Sequence, residues 1–183
     1  MKERKSLSVA KRLIILASVI AAVFAIINLF WLFGVKIPYN NYVSEMNRTE
    51  EVDGEVRYTL KVEEFSCRVK MPVYLQFQGF LKVSPSRGFT IRYDDAGKIV
   101  SKSEMLVELY AWPDVWGNYQ YGVDFYDDTS RSKQVYIDKD INYIPYDEYD
   151  DEFNVDAQEL IDEHYDEIKT MLGIARNLWN IKD

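Results

Sequence analysis

The sequence predicts an α+β protein: an apolar helix able to cross a membrane, then one antiparallel, meander-like β-sheet, then a C-terminal amphipathic helix. Three observations predict it. Leu13 to Phe33 is a 21-residue run without a charge. Between Val56 and Ile137, apolar residues recur at every second position, interrupted by turn-forming clusters. After Asp156 the apolar spacing changes to three and four, the helical period.

The apolar run divides the chain into a tail at 1–12, an anchor at 13–33 and a domain at 34–183. About 20 residues rising 1.5 Å each match a hydrocarbon core of roughly 30 Å, and a helix satisfies its own backbone there. A cleavable signal would have a shorter apolar region ending in small residues, whereas this one ends Phe30-Trp31-Leu32-Phe33. Asn28 is its one strongly polar side chain, and Trp31 stands where an indole favours the membrane interface. Lys2, Arg4, Lys5, Lys11 and Arg12 precede the span against Glu3 alone, a local charge of +4. That flank should stay cytoplasmic, leaving a single-pass protein of the cell membrane with its domain extracellular.

Val56, Tyr58, Leu60 and Val62 share one parity, and Phe65 to Phe77 continue on the other, so Glu63-Glu64 marks a bulge or corner. Pro72 argues for two strands or a bent edge strand rather than one central strand. Further strands are expected around Phe89–Tyr93, Met105–Ala111, Tyr119–Phe125 and Val135–Ile137, with a hairpin turn at Asp94-Asp95-Ala96-Gly97. That makes about seven strands. A short amphipathic helix is possible at Tyr39–Arg48. At the C-terminus, Asp156 reads as an N-cap with Glu159 at N3 and Val155–Leu160 as a staple. Gly173 is where that helix should weaken or kink.

Residues 34–183 hold 17 basic and 29 acidic residues, a charge of −12. Such a domain repels phosphates, so no nucleic-acid partner is expected, and the anchor excludes a free cytosolic enzyme. One His and one Cys leave no His-rich metal site, disulfide framework or nucleophile–His pair. Neither an enzyme activity nor a cofactor is expected, although any two of the acids could converge as a hydrolase pair. Asp138-x-Asp140-x-Asn142 has the first spacings of a calcium loop, but Tyr143 and Tyr149 replace its Gly and Glu, so no metal site is assigned. The acids from Asp138 to Glu167 read as a solvated face, with a partner patch or a weak cation cluster as alternatives. His164 and Cys67 read as partly buried and buried packing residues.

The most informative stretch runs from Tyr110 to Asp128. Its candidates for partner binding are Trp112, Trp116, Tyr119, Tyr121, Asp124, Tyr126, Asp127 and Asp128. Tyr and Trp bring large contact areas at low entropic cost, and acids beside them suit a basic protein surface or a sugar ring. Tyr121 shares the parity of Val123 and Phe125, which also fits a core position.

The layout, together with Asn41-Tyr42-Val43-Ser44-Glu45-Met46, Tyr121-Gly122-Val123-Asp124-Phe125-Tyr126 and Leu178-Trp179-Asn180, resembles the TipC family of immunity proteins from Gram-positive bacteria. The resemblance implies a non-enzymatic protein with a concave sheet on the outer membrane face. Its partner would be a secreted LXG-type toxin that degrades the lipid-linked cell-wall precursor. A cell-wall glycan-binding or sensory ectodomain is the alternative.

Overall fold

The computed structural model describes residues 9–50, 56–86, 92–93, 99–101, 106–126, 132–145 and 151–181. α1 (Val9–Trp31), a π-helical turn (Leu32–Lys36) and α2 (Ile37–Tyr42) form one continuous helix. Over Val9–Tyr42 it is long and apolar enough to cross a membrane. The π turn has a local cause. Pro38 lacks an N–H and crowds the preceding turn of an α-helix, and the Ile37 N–H bonds back five residues to the Leu32 carbonyl. The helix therefore continues past the uncharged run of 13–33 and packs on the sheet, where Val35 and Tyr39 are core residues. A separate helix at Tyr39–Arg48 does not form: α2 ends at Tyr42 and a strand begins at Asn47.

Ten strands follow: β1 (Asn47–Glu50), β2 (Val56–Val62), β3 (Phe65–Lys70), β4 (Phe80–Pro85), β5 (Arg92–Tyr93), β6 (Ile99–Ser101), β7 (Leu106–Pro113), β8 (Tyr119–Tyr126), β9 (Ser132–Ile137) and β10 (Tyr143–Ile144). Eight form one sheet in the order β1-β2-β3-β4-β7-β8-β9-β10, while β5 and β6 pair separately. Every pairing is antiparallel, so the sheet is a meander with one hairpin inserted. The parity change at Glu63-Glu64 is a turn, with Glu63 at φ 52°. The alternation from Met71 to Phe77 makes no strand. β3 stops at Lys70, before Pro72, and Val73, Tyr74, Leu75 and Phe77 are exposed in the loop. The hairpin turn expected at Asp94–Gly97 lies outside the described residues.

Cys67, Val69, Leu81, Val83, Leu109, Val123, Phe125 and Val135 fill one face of the sheet. α4 (Tyr165–Trp179) covers that face across β4 and β7, with α2 beside it. Ile168, Met171, Leu172, Ala175 and Trp179 form the buried stripe of α4, and α3 (Asp151–Glu163) adds Ala157 and Ile161. Two details differ from the sequence reading. The helical region begins at Asp151, so Asp156 lies inside it rather than capping it, and the break falls at His164 rather than Gly173. Nothing lies within 4 Å of a Cβ built on Gly173. Asn180, at φ 50°, ends α4 in the left-handed conformation, the usual C-terminal stop.

Candidate functional site

A strand presents alternate residues to opposite faces. With odd-numbered residues of β3, β4, β7, β8 and β9 in the core, even-numbered ones form the open face, away from α4. Across β4 to β9 that face carries a chain of aromatic contacts. Phe80 and Tyr110 meet edge to face with centroids 5.5 Å apart. Tyr110 stacks on Trp112 at 5.6 Å and 11°, and Trp112 meets Tyr136 at 5.9 Å. Trp112 lies against Gly122, where a Cβ would fall 2.7 Å from the indole. Any larger residue at 122 would lift the ring from the sheet.

Beside the aromatics, Glu108 and Asp124 are directly opposed across β7 and β8, and each is only 7% exposed. Like charges facing across strands destabilise a sheet, and two features offset this. Lys82 donates to Glu108 Oε2 at 2.6 Å, and the Tyr110 hydroxyl donates to the same oxygen at 3.2 Å. Burial, more than any neighbour, pushes the Asp124 carboxyl above its ordinary range, so it holds its proton more firmly than an exposed acid. Tyr126 donates to Asp124 Oδ2 at 3.3 Å, and burial pushes its phenol up to about 12. Gln134 stands near enough to favour the charged form of Asp124. Even so, Asp124 Oδ1, buried, receives no hydrogen bond from a described residue. A buried acceptor left open in this way is costly, and a partner's donor reaching it would remove that cost.

The eight sequence candidates separate into five groups. Trp112, Asp124 and Tyr126 share the open face. Tyr121, 4% exposed, is a core residue and is corrected out of the binding surface: its parity matches Val123. Tyr119 lies on the helix side, half-buried, with its hydroxyl 2.8 Å from that of Tyr42. Trp116 is at the tip of the β7–β8 turn, 77% exposed. Asp127 and Asp128 lie outside the described residues.

Sequence reasoning missed Lys82, Glu108 and Tyr136, whose contacts join different strands, and it placed Tyr110 in the informative stretch without assigning it to the binding surface. It also missed the charge division of the open face. By register, Arg57, Lys61, Arg68, Lys70 and Lys82 stand on the β2–β4 half, opposite in sign to Glu108 and Asp124. Like-signed neighbours Arg57↔Lys70 and Arg68↔Lys82 make this half basic within an acidic domain.

The calcium-like spacing has another use. Asp138 Oδ1 accepts the Asp140 and Asn142 amides, both at 2.8 Å, and Oδ2 accepts Asn142 Nδ2 at 2.8 Å. The carboxylate thus closes the β9–β10 turn. Asp114 does the same in the β7–β8 turn, accepting Trp116 N at 2.8 Å and Asn118 N and Nδ2 at 2.9 Å. No three His, Cys, Asp or Glu among the described residues gather as a metal site. His164 is half-buried at the α3–α4 break, 5.7 Å from the Phe125 ring. Cys67 is fully buried.

No protein-family model matches this sequence, and neither a curated protein nor a solved structure is significantly similar to it.

Proposed function

We propose that this chain is a membrane-anchored immunity protein whose open sheet face binds and occludes a secreted LXG-type toxin outside the cell. The observation carrying this is the open face itself. An aromatic run from Phe80 through Tyr110 and Trp112 to Tyr136 lies beside Asp124, whose Oδ1 receives no hydrogen bond from a described residue. Aromatic anchors with a desolvated polar contact are the usual make-up of a binding hot spot. An occluding inhibitor needs only such a face and a position near the toxin's target. The basic flank of the span and the resemblance to TipC proteins support the outward orientation and the class of partner. The toxin surface should carry a donor for Asp124 and acids for the β2–β4 half.

The test is protection. Cells expressing the full chain should survive the secreted toxin encoded beside it, and Trp112→Ala should reduce survival while the protein stays folded and membrane-bound. A folded, anchored chain that gives no protection rejects the proposal.

The near-parallel Tyr110–Trp112 pair also favours a second reading, a platform for cell-wall sugar rings. Retention on purified cell wall, lost in Trp112→Ala, would select that reading over a protein partner.

A further inference from the structure

Two loops of the domain reach back along the apolar helix. The Tyr74 hydroxyl donates to Asn28 Oδ1, and its ring meets Trp31 edge-on at 5.2 Å. Trp31 Nε1 donates to the Gln76 carbonyl at 2.9 Å. The Phe30 ring lies 6.0 Å from Phe77 and 5.9 Å from Trp116 of the β7–β8 turn. Asn28 lies five residues before Phe33, about 7.5 Å along a helix rising 1.5 Å per residue. Whatever medium surrounds Asn28 to Phe33 therefore surrounds both loop tips as well.

The composition of the first loop and the Trp116 tip of the second suit a lipid medium, and the Asp114 carboxylate of the second is engaged by Trp116 N, Asn118 N and Asn118 Nδ2. Met71 to Leu81 contains no charge, in a chain where 28% of residues are charged. Among the described residues beyond the helix, the exposed large apolar side chains are Val73, Tyr74, Leu75, Phe77 and Trp116, with only Ile144 and Tyr165 elsewhere. Turn geometry does not require Trp116. The equivalent position of the matching Asp138 turn is Asp140, and both turns have the same carboxylate bonds and a positive φ at their fourth residue, Gly117 and Ile141. Within the loop Gln76 N bonds to the Val73 carbonyl at 2.8 Å, and the Gln76 carbonyl accepts from Trp31 Nε1, which spares those groups an unpaired burial.

We propose that the Pro72–Gln78 loop and the Asp114–Asn118 turn form a second membrane-binding surface. It seats in the headgroup–acyl boundary beside the anchor, with Tyr74, Leu75, Phe77 and Trp116 as its lipid contacts. Tyr and Trp, with an apolar body and a polar edge, are the residues that favour that boundary, and apolar loop tips add buried area. The domain is then held against the bilayer at three points, which fixes the attitude of the open face. The surface is the same whichever side of the membrane the domain occupies and whatever the open face binds, so failure of the immunity reading leaves it standing.

The full chain in phosphatidylcholine–phosphatidylglycerol vesicles tests this. A spin label would be placed on Leu75→Cys or Trp116→Cys, with Val19→Cys in the span and Glu64→Cys at the far end of the sheet as references. Cys67 is buried and stays unlabelled. Labels at 75 and 116 should collide with lipid-dissolved oxygen in preference to an aqueous nickel chelate, their ratio several-fold above that at 64 and approaching that at 19. Nickel access equal to that at 64 overturns the proposal. So does shielding from both reagents with spin–spin broadening, which would mean a second copy covers the loops. Brominated lipid provides a check on the otherwise unmodified chain. It should quench tryptophan fluorescence less in Trp116→Phe than in the parent, and equal quenching rejects the Trp116 contact.

Discussion

Gly79 donates its backbone N–H to the Tyr39 hydroxyl at 3.1 Å, and a Cβ at Gly79 would lie 2.2 Å from the Lys70 carbonyl and 2.9 Å from the Tyr39 ring. This contact joins the buried end of the long helix to the chain entering β4. Gly79→Ala should destabilise the domain by about 1–3 kcal/mol through overpacking against backbone. Tyr39→Phe should cost about 1–3 kcal/mol by leaving the Gly79 N–H unbonded. Chemical denaturation of both variants checks this, and a melting profile equal to the parent's would contradict it.

The two aspartate turns predict sensitivity to acid. The Asn118 side chain foremost, with the backbone amides of Asn118, Trp116 and Gly117, holds the Asp114 carboxyl below its ordinary range. At Asp138 burial acts the other way, but the bonds from Asn142 and Asp140 outweigh it and also lower the value. A carboxyl lowered on folding contributes stability above its unfolded value, about 3.9, and loses it as pH falls through the folded value. Asp114→Ala and Asp138→Ala should each cost about 1 kcal/mol at neutral pH and progressively less below pH about 4. A cost that does not change with pH would show that the charge is not what closes the turns.

Asp124 carries the opposite sign. A carboxyl raised by burial keeps its proton longer in the folded than in the unfolded chain. Its contribution is complete below the unfolded value and is lost as pH rises through the folded one. Asp124→Asn should therefore stabilise the free domain at neutral pH, with the gain shrinking as pH falls toward 4. Thermal melts of the variant and parent across that window read the difference directly.

On the open face, Trp112→Ala should raise the dissociation rate of the bound partner by about 30-fold, the equivalent of 2 kcal/mol. Asp124, being buried, should also act on dissociation, whereas exposed charges such as Arg68 and Lys61 should act on association and its salt dependence. Surface-binding kinetics at two salt concentrations separate these effects. Equal losses from both sets would place the interface elsewhere.

Burial pushes the Cys67 thiol up to about 11, so little reactive thiolate exists at neutral pH. Cys67 should modify at a rate set by opening of the β3–β4 region, and the rate should rise with denaturant in step with unfolding. Rapid modification of the native chain would show that the sheet opens locally.

Local pattern made much of this protein legible. Twenty-one uncharged residues determine a helix suited to lipid, because no other element satisfies its backbone there. Alternation along β2, β7 and β8 determined which residues face the core, and the three-four spacing from Ile161 to Trp179 determined the stripe of the C-terminal helices. Tertiary structure alone decided the rest. The same alternation that makes β3 a strand fails at Val73–Phe77, since Pro72 interrupts the ladder, and Tyr74 and Phe77 instead meet the long helix at Asn28, Trp31 and Phe30. Trp112, Trp116, Tyr119 and Tyr121 form one aromatic cluster in sequence, yet they reach the open face, the tip of the β7–β8 turn, the helix side and the core. Parity and a single turn separate neighbours in the chain, while pairing across β4, β7 and β8 brings together Lys82, Glu108 and Asp124. Such a site depends on strand register, and register is fixed by burial of the opposite face, which no local stretch of sequence contains.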